Sequence, residues 1–236
     1  MIHLAHPAPA GNIGNALAQR HHLVKLALLI AVGYLLGSIP WGYWLPRWAK
    51  GVDIRQHGSG NMGAANVARA VGTRFAIAVA LLDIAKGTAA ALVGLAVAGS
   101  LGAVVAGAAA MVGHYRPLFL GFARGGKAVA TGLGAALAVA PLAALCVAAI
   151  WCTLFVATRY SSIASLSSCV AMPVLAFVFG APAPVLIFLT VACAAVVVFH
   201  RKNVGRLLHG TENRFGFSRL PWHWRGSRTP QAPPPG

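Results

Sequence analysis

Residues 75–98 read FAIAVALLDIAKGTAAALVGLAVA, an apolar run in which Asp83 and Lys86 are the only charged side chains. A helix needs about 20 apolar residues to cross the hydrocarbon core of a bilayer. Charged groups are costly in lipid, and opposite charges at i, i+3 on a helix can neutralise each other. The run therefore predicts a transmembrane helix with an internal ion pair, in which Asp83 and Lys86 have a structural role.

The composition of the whole chain has the same character. Hydrophobic residues make up 58% of its 236 residues and charged residues only 9%, whereas soluble domains carry charge on about a quarter of their residues. The apolar runs are continuous and rich in Ala, Leu and Val rather than alternating, which argues against a β-barrel. The composition predicts an all-α integral membrane protein with one membrane domain and no sizeable soluble domain.

The breaks between apolar segments predict a compact bundle of about seven transmembrane helices. The predicted spans are 23–45, 75–98, 101–115, two short helices from 128–156 divided at Pro141, 163–179 and 184–199. Gly33 and Gly37 have GxxxG spacing, which permits a neighbouring helix to approach closely. We assign no role to an N-terminal extension, residues 1–22. The membrane domain covers residues 23–217, and residues 218–236 form a basic, Pro-rich tail that is predicted to be disordered.

The distribution of Lys and Arg orients the bundle through the positive-inside rule. Basic residues follow the first, third, fifth and seventh spans, whereas the turns after the second, fourth and sixth spans carry none. This alternation predicts an outside N-terminus and a cytoplasmic C-terminus, although Arg20 and Lys25 lie on the disfavoured side. All polar clusters would then face the cytoplasm, as a single active site requires.

The first polar cluster reads GSGNMGAANVAR over residues 58–69. Glycine permits backbone N–H groups to approach an anion closely, and arginine offers a guanidinium fork that suits phosphate. The candidate anion-binding residues are Ser59, Gly60, Asn61, Asn66 and Arg69. On its own, this segment is equally consistent with a turn-rich loop that caps the next helix.

The second polar cluster contains Gly125, Gly126 and Lys127 just before a predicted helix. Backbone N–H groups and a lysine at a helix N-terminus can hold phosphate. The spacing is not that of a Walker loop, and the alternative is an ordinary basic loop on the cytoplasmic side.

The third polar cluster reads HRKNVGRLLHGTE over residues 200–212. If this segment is helical, His200, Asn203 and Arg206 share one face. The alternative is a basic amphipathic tail that lies on the membrane. Glu212 is expected to form an ion pair with a nearby arginine.

Other polar features point to structural roles or exclude classes of function. Asp53 is expected to order the first loop with Arg55. The four cysteines lie in apolar stretches without a C-x-x-C pair, and the chain has no carboxylate cluster, so we expect no disulfide, no metal and no cofactor. A pI near 11.3 is typical of nucleic-acid binding, but the chain has no soluble module that could bind nucleic acid.

The residue patterns alone leave three classes open: an enzyme with a phosphorylated substrate, a small transporter of a phosphorylated solute, and a structural membrane protein. A transporter predicts ionisable residues along the full depth of the membrane, and only Asp83 and Lys86 come close to this. A structural protein would leave three polar clusters on one membrane face unexplained.

Together, the motifs resemble one family, the bacterial acyl-phosphate:glycerol-3-phosphate acyltransferases. The matching segments are Gly37–Tyr43, Gly51–Arg55, Gly58–Gly63 with Asn66 and Arg69, Asp83–Gly87, Gly113–His114, Gly125–Lys127 with Ala130–Thr131, Arg159–Tyr160 with Ser162, and His200–Asn203 with Arg206, Gly210 and Glu212. The resemblance spans about residues 26–215. Ala65, Arg124 and Ala128 stand where the family usually has Thr, Lys and Gly.

This resemblance implies a bundle of seven transmembrane helices in the bacterial cytoplasmic (inner) membrane, with the active site facing the cytoplasm. It implies transfer of a fatty acyl group from a long-chain acyl-phosphate to the 1-hydroxyl of glycerol 3-phosphate. The products would be 1-acyl-glycerol 3-phosphate (lysophosphatidic acid) and phosphate, in the first step of phospholipid synthesis. A soluble acyl-phosphate-forming enzyme would supply the donor, and neither metal nor cofactor would take part.

Both substrates implied by the resemblance carry a phosphate group, and this determines the roles that we expect of the site residues. The residues expected to hold the phosphate groups are Ser59, Asn61, Arg69, Lys127 and Ser162, with neighbouring backbone N–H groups. His200 is the candidate base, and Asn203 could orient it or polarise the acyl carbonyl. Alternatively, a substrate phosphate accepts the hydroxyl proton, and His200 and Asn203 only bind.

Overall fold

The computed structural model describes residues 11–216, and every regular element within them is a helix. The tail predicted to be disordered, residues 218–236, lies outside the described residues, as do residues 1–10 of the predicted extension. The α-helices of the described part are α1 (Gly11–Ser38), α2 (Trp41–Lys50), α3 (Ala64–Val71), α4 (Thr73–Tyr115), α5 (Val129–Val139), α6 (Pro141–Thr158), α7 (Ser161–Val178), α8 (Ala183–Phe199) and α9 (Arg201–Leu208).

Helix α4 is a hairpin of two antiparallel arms. Its backbone leaves the helical conformation at Ala98 and Gly99, where Gly99 has a φ of 61°, a conformation that glycine adopts readily. Gly94 and Gly102 then lie so close that a Cβ on either would overlap the backbone of the other. We call residues 73–97 the first arm and residues 100–115 the second arm; they correspond to two of the predicted spans.

Helix α1 packs against the second arm of α4 through the predicted GxxxG pair. A Cβ on Gly33 or Gly37 would overlap the backbone of Ala106 or Ala110, respectively. Helix α1 ends at Ser38, before the predicted end of this span at residue 45, although the apolar stretch that is long enough to cross a membrane covers Gly14–Lys50. Pro40 has no backbone N–H, so it cannot continue the helix.

Residues 46–72, between the first two predicted spans, contain more helix than the sequence indicated. Helix α2 continues to Lys50 and carries three tryptophans, of which Trp44 stacks on Trp48 with ring centroids 5.3 Å apart. Helix α3 follows after a single 3₁₀ turn and carries Asn66 and Arg69. Two of the five candidate anion-binding residues therefore lie on a helix, whereas Ser59, Gly60 and Asn61 lie in the loop before it.

The predicted break at Pro141 is confirmed, since α5 ends at Val139 and α6 begins at Pro141. Four stretches of the described residues are long and apolar enough to cross a membrane, or up to five if α8 and α9 form one broken span. One of the four is the whole α4 hairpin, and α5 is only about 16 Å long. Seven crossings and the direction of the termini therefore stay predictions.

The helices pack in a chain around an internal space. The α4 hairpin contacts α1 on one side and α3 and α5 on the other, and the sequence then passes from α5 to α6, α7 and α8, which returns to α4. Small residues make the contacts tight: a Cβ on Gly87 or Gly134 would overlap the backbone of the facing helix. The space enclosed by α3 to α9 contains the candidate site.

Candidate active site

A cavity of about 400 Å³ lies between the helices and brings together all three polar clusters. Its polar lining includes Ser59, Asn61, Asn66, Arg69, Lys127, His200, Asn203, Arg206 and Glu212, and Thr73, Asp83, His114, Ser161, Ser165, Ser168 and Asn213 also line it. The remainder of the wall is mostly apolar and is formed mainly by α4, α5, α6, α7 and α8. Groups that suit an anion therefore occupy one end of a largely apolar space.

The loop of the first cluster is held together by its asparagine side chains. Asn66 Oδ1 accepts a hydrogen bond from the Ser59 N–H (3.0 Å), and Asn66 Nδ2 donates to the His57 carbonyl (2.9 Å). Asn61 Oδ1 accepts from the Gly63 N–H (2.8 Å). Gly60 turns the chain at a φ of 66°. Much of this cluster's hydrogen-bonding capacity is therefore used to shape the loop.

Arg69 lines this cavity and also carries a buried donor without a partner in the described part of the chain. Its Nε is buried and has no hydrogen-bond partner among the described residues, while its terminal nitrogen lies 3.5 Å from Asn66 Oδ1. Burial lowers the pKa of Arg69, but an ordinary arginine pKa above 12 leaves the side chain charged near neutral pH. A buried donor without a partner is costly, so this guanidinium is well suited to an anion.

Lys127 provides the second cation of the cavity. Its Nζ donates a hydrogen bond to Asn203 Oδ1. Burial lowers its pKa to about 8, with Glu212 opposing this shift and Arg206, Arg124 and Arg69 adding to it. The lysine therefore keeps its proton at pH 7, but with a much smaller margin than in water.

Gly125 and Gly126 do not line this cavity. Their N–H groups donate to the carbonyls of Tyr115 and His114, and a Cβ on Gly126 would overlap the His114 imidazole. The Gly125 carbonyl accepts a hydrogen bond from Asn61 Nδ2 (3.2 Å), which links the first and second clusters. These glycines position Lys127 through packing, and a direct phosphate contact by their N–H groups stays a prediction.

Glu212 connects the residues of the third cluster. Its Oε1 accepts from Asn203 Nδ2 (2.7 Å) and from Ser162 Oγ (3.0 Å), and its Oε2 pairs with Arg206 Nε (2.7 Å). Although burial opposes the shift, these hydrogen bonds lower the pKa of Glu212. The predicted Glu212–arginine pair is therefore present. Because Asn203 donates to Glu212, its oxygen is left to accept from Lys127.

Ser162 was expected to face a substrate, but it is buried and does not line the cavity. Its hydroxyl donates to Glu212, so it stabilises the position of that carboxylate in the third cluster. The hydrogen bond joins residues 50 positions apart in the sequence, which no local pattern could reveal.

His200 lies at the junction of α8 and α9 and faces the cavity. Its Nδ1 is 2.8 Å from the Val196 carbonyl. A carbonyl oxygen only accepts, so Nδ1 carries the hydrogen and Nε2 of the neutral ring is an acceptor. Burial, followed by the charge of Lys127, lowers the pKa of His200 to about 4, and the imidazole is therefore neutral at pH 7.

The other predicted structural pairs are present. Asp53 pairs with Arg55, whose terminal nitrogen is 2.6 Å from Oδ2, and this hydrogen bond lowers the pKa of Asp53 to about 2. Asp83 pairs with Lys86 at 2.9 Å, and both side chains are 3% exposed. Lys86 also donates to the Ile39 carbonyl (2.9 Å), which ties α4 to the end of α1.

Sequence reasoning missed two parts of the cavity wall. Arg206 was placed on the face of His200 and Asn203 but was not proposed as a site residue, although the i, i+3 spacing indicated it. The apolar wall, which includes Trp151, Met172 and Leu189, has no sequence signal, because its residues resemble any other membrane core. Within residues 11–216, no group of three or more His, Cys, Asp or Glu could hold a metal ion.

The fold and the site together define a class of protein. It is an all-helical, multi-pass membrane protein with a cavity that is lined by cationic and amide groups. The chain belongs to the glycerol-3-phosphate acyltransferase family, whose model matches residues 27–210. A glycerol-3-phosphate acyltransferase of Synechococcus sp. is 47% identical over 193 residues, which is 81% of this chain and 96% of that protein. One of Agrobacterium fabrum is 45% identical over 191 residues, covering 81% and 92%.

Solved structures give the same assignment. The crystal structure of PlsY (YgiH), an integral membrane glycerol 3-phosphate acyltransferase in its glycerol 3-phosphate form, matches with a TM-score of 0.77 and 41% identity, covering 81% of this chain and 96% of that chain. Its lysophosphatidic acid form matches with a TM-score of 0.75 and 41% identity, covering 81% and 95%. This chain is therefore a glycerol-3-phosphate acyltransferase of the membrane.

Proposed function

We propose that the enzyme transfers a fatty acyl group from acyl-phosphate to the 1-hydroxyl of glycerol 3-phosphate. The products are 1-acyl-glycerol 3-phosphate and inorganic phosphate. The observation that carries this proposal is the cavity itself, whose wall has cations and amides at one end and mostly apolar side chains elsewhere. Such a cavity suits two phosphate groups together with one long hydrocarbon chain. A related protein has structures in glycerol 3-phosphate and lysophosphatidic acid forms.

Phosphate binding is assigned to the groups that face the cavity. Arg69 and Lys127 supply the positive charge, and Ser59 and Asn61 supply neutral donors. Asn66 and Gly60 shape the loop from which Ser59 and Asn61 project. Held in this way, the two substrates can react with little loss of entropy at the reaction step.

The chemistry requires one bond exchange. The 1-hydroxyl oxygen attacks the acyl carbonyl carbon and forms the ester bond, while the anhydride C–O bond breaks and phosphate leaves with the electron pair. Negative charge develops on the carbonyl oxygen and on the leaving phosphate. The cation of Lys127 and the amide of Asn203 are hydrogen bonded to each other and lie where they can stabilise this charge.

The hydroxyl proton goes to a substrate phosphate. With a pKa of about 4, His200 is a weak base at pH 7, whereas a phosphate monoester has a second pKa of about 6 and so holds a proton more strongly. The acceptor atom of His200, Nε2, instead receives a hydrogen bond from the hydroxyl and orients it. His200 and Asn203 are thus catalytic through orientation and polarisation.

The membrane setting follows from the charge pattern. We place the cavity at the cytoplasmic face of the inner membrane of a bacterium, because the basic loops lie at that end of the helices. Both phosphorylated substrates would be available there, with the acyl-phosphate delivered by a soluble enzyme that forms it.

The donor is tested with purified protein in detergent and radiolabelled glycerol 3-phosphate. With palmitoyl-phosphate, and with chelator present, we expect labelled lysophosphatidic acid to form; with palmitoyl-CoA we expect none. Lys127→Ala should lose at least about tenfold in kcat/KM, whereas Arg124→Ala, which alters an exposed cation beside it, should retain activity. Product from acyl-CoA alone would refute the assigned donor.

A further inference from the structure

The apolar part of the cavity ends inside the bundle. Its deepest lining residues on the last three long helices are Val147 of α6, Met172 of α7 and Leu189 of α8. These three side chains are 4%, 6% and 2% exposed and belong to one buried cluster. We call them the floor.

The core is filled beyond the floor. The next residues inward on the same helices include Ala144, Ala176 and Val185, which are 0%, 0% and 1% exposed and do not line the cavity. Phe188 adds bulk at this level, since its ring approaches Gly107 of α4. A hydrocarbon chain that enters from the polar end therefore meets packed side chains.

The depth of the cavity is set by helix geometry. Leu189 lies 11 residues from His200 on α8, and Met172 lies 11 residues from Ser161 on α7, which places the floor about 16 Å below the polar end in both cases. Carbon–carbon bonds of about 1.5 Å at about 111° extend a hydrocarbon by roughly 1.25 Å per carbon. The depth accommodates about 13 carbons beyond the reacting carbonyl.

We propose that Val147, Met172 and Leu189 form a ruler that favours acyl groups of about 14 carbons. This inference rests on the proposed acyl-phosphate donor. The acyl chain lies along α7 and α8, and its methyl end contacts the floor. A shorter chain leaves apolar surface of the cavity uncovered, and a longer one must bend out of the cavity, so both react more slowly.

Substitutions on α8 can change the depth of the cavity. Ala192 lines the cavity on α8, near Leu189 and closer to the polar end. Ala192→Leu fills that space and raises the floor, whereas Leu189→Ala lowers it. Leu186→Ala is the matched control, because Leu186 lies on the same helix and packs against the same cluster without lining the cavity.

The test measures kcat/KM for saturated acyl-phosphates of about 10 to 18 carbons. We expect the optimum to move up by about two carbons in Leu189→Ala and down by about two in Ala192→Leu, and to stay in place in Leu186→Ala. If Leu189→Ala does not fold, Met172→Ala opens the floor from α7. Active variants with an unchanged optimum would overturn the ruler and leave the donor intact, whereas a wild type inactive with every acyl-phosphate would overturn the donor.

Discussion

At the residue scale, the charge of Lys127 depends on its surroundings. Burial lowers its pKa to about 8, while its hydrogen bond to Asn203 and the field of Glu212 keep the ammonium in place. A dianionic substrate beside it would stabilise the proton further. The charged form is the one that binds phosphate, so binding and protonation of this lysine are linked.

The pH dependence of the reaction follows from this link. Lys127 is protonated below about pH 8 and neutral above it, so kcat/KM should fall about tenfold per pH unit on the alkaline side. Lys127→Arg should remove this alkaline limb, because arginine stays charged. The check is the profile of kcat/KM between about pH 6 and pH 10. An alkaline limb that is unchanged in Lys127→Arg would assign it to another group.

The buried Asp83–Lys86 pair gives a second prediction at this scale. Lys86→Met removes the cation of a pair that is 3% exposed and leaves the Asp83 carboxylate with only the His114 imidazole, 3.5 Å away, beside it; such a loss costs about 3–5 kcal/mol. The double variant Asp83→Asn with Lys86→Met removes both charges and should recover much of that loss. Thermal unfolding in detergent measures the difference. If the single and double variants are equally unstable, the charge of Asp83 is not the cause.

At the element scale, close helix contacts hold the cavity in shape. The second arm of α4 lies against α1 on one side, and its His114 packs on Gly126 and pairs with Asp83 of the first arm. The position of Lys127 therefore depends on how tightly the hairpin is packed. Ala128, which follows it, has a φ of 60°, in the left-handed region that favours glycine.

The α1–α4 contact is testable because it depends on missing side chains. Gly37→Val places bulk against the backbone of Ala110 and should lower the unfolding free energy by about 1–3 kcal/mol. Gly14→Val, on the same helix, is the control, since nothing lies within 4 Å of that position. Thermal unfolding of both variants in detergent is the measurement. Equal stability of the two would mean that the GxxxG contact contributes little.

At the scale of the whole molecule, the sequence predicted the class of fold and the meeting of the polar clusters better than the contacts within them. Apolar runs and basic loops are visible along the chain, so the all-helical membrane fold and the break at Pro141 could be predicted. Helix α3 has only eight residues, too few for a hydropathy pattern. The contacts of Glu212 with Ser162 and Asn203 depend on tertiary packing and have no local signal.

The shape of the cavity bears on the rival classes. A transporter needs a polar path through the membrane, whereas the described helices close the cavity with apolar side chains at Val147, Met172 and Leu189. The family assignment agrees with this, since its members are acyltransferases. An end that is closed by apolar side chains suits the binding of a hydrocarbon chain rather than the passage of a phosphorylated solute.

The central claim is that groups from separate segments meet in one cavity and bind glycerol 3-phosphate there. The most direct test is the binding of labelled glycerol 3-phosphate to purified protein, with Arg69→Ala and Lys127→Ala compared with Arg74→Ala and Arg124→Ala, which change exposed cations off the cavity wall. We expect each of the first two variants to weaken binding at least about tenfold and the two controls to bind like the wild type. Wild-type affinity in either Arg69→Ala or Lys127→Ala would contradict the account.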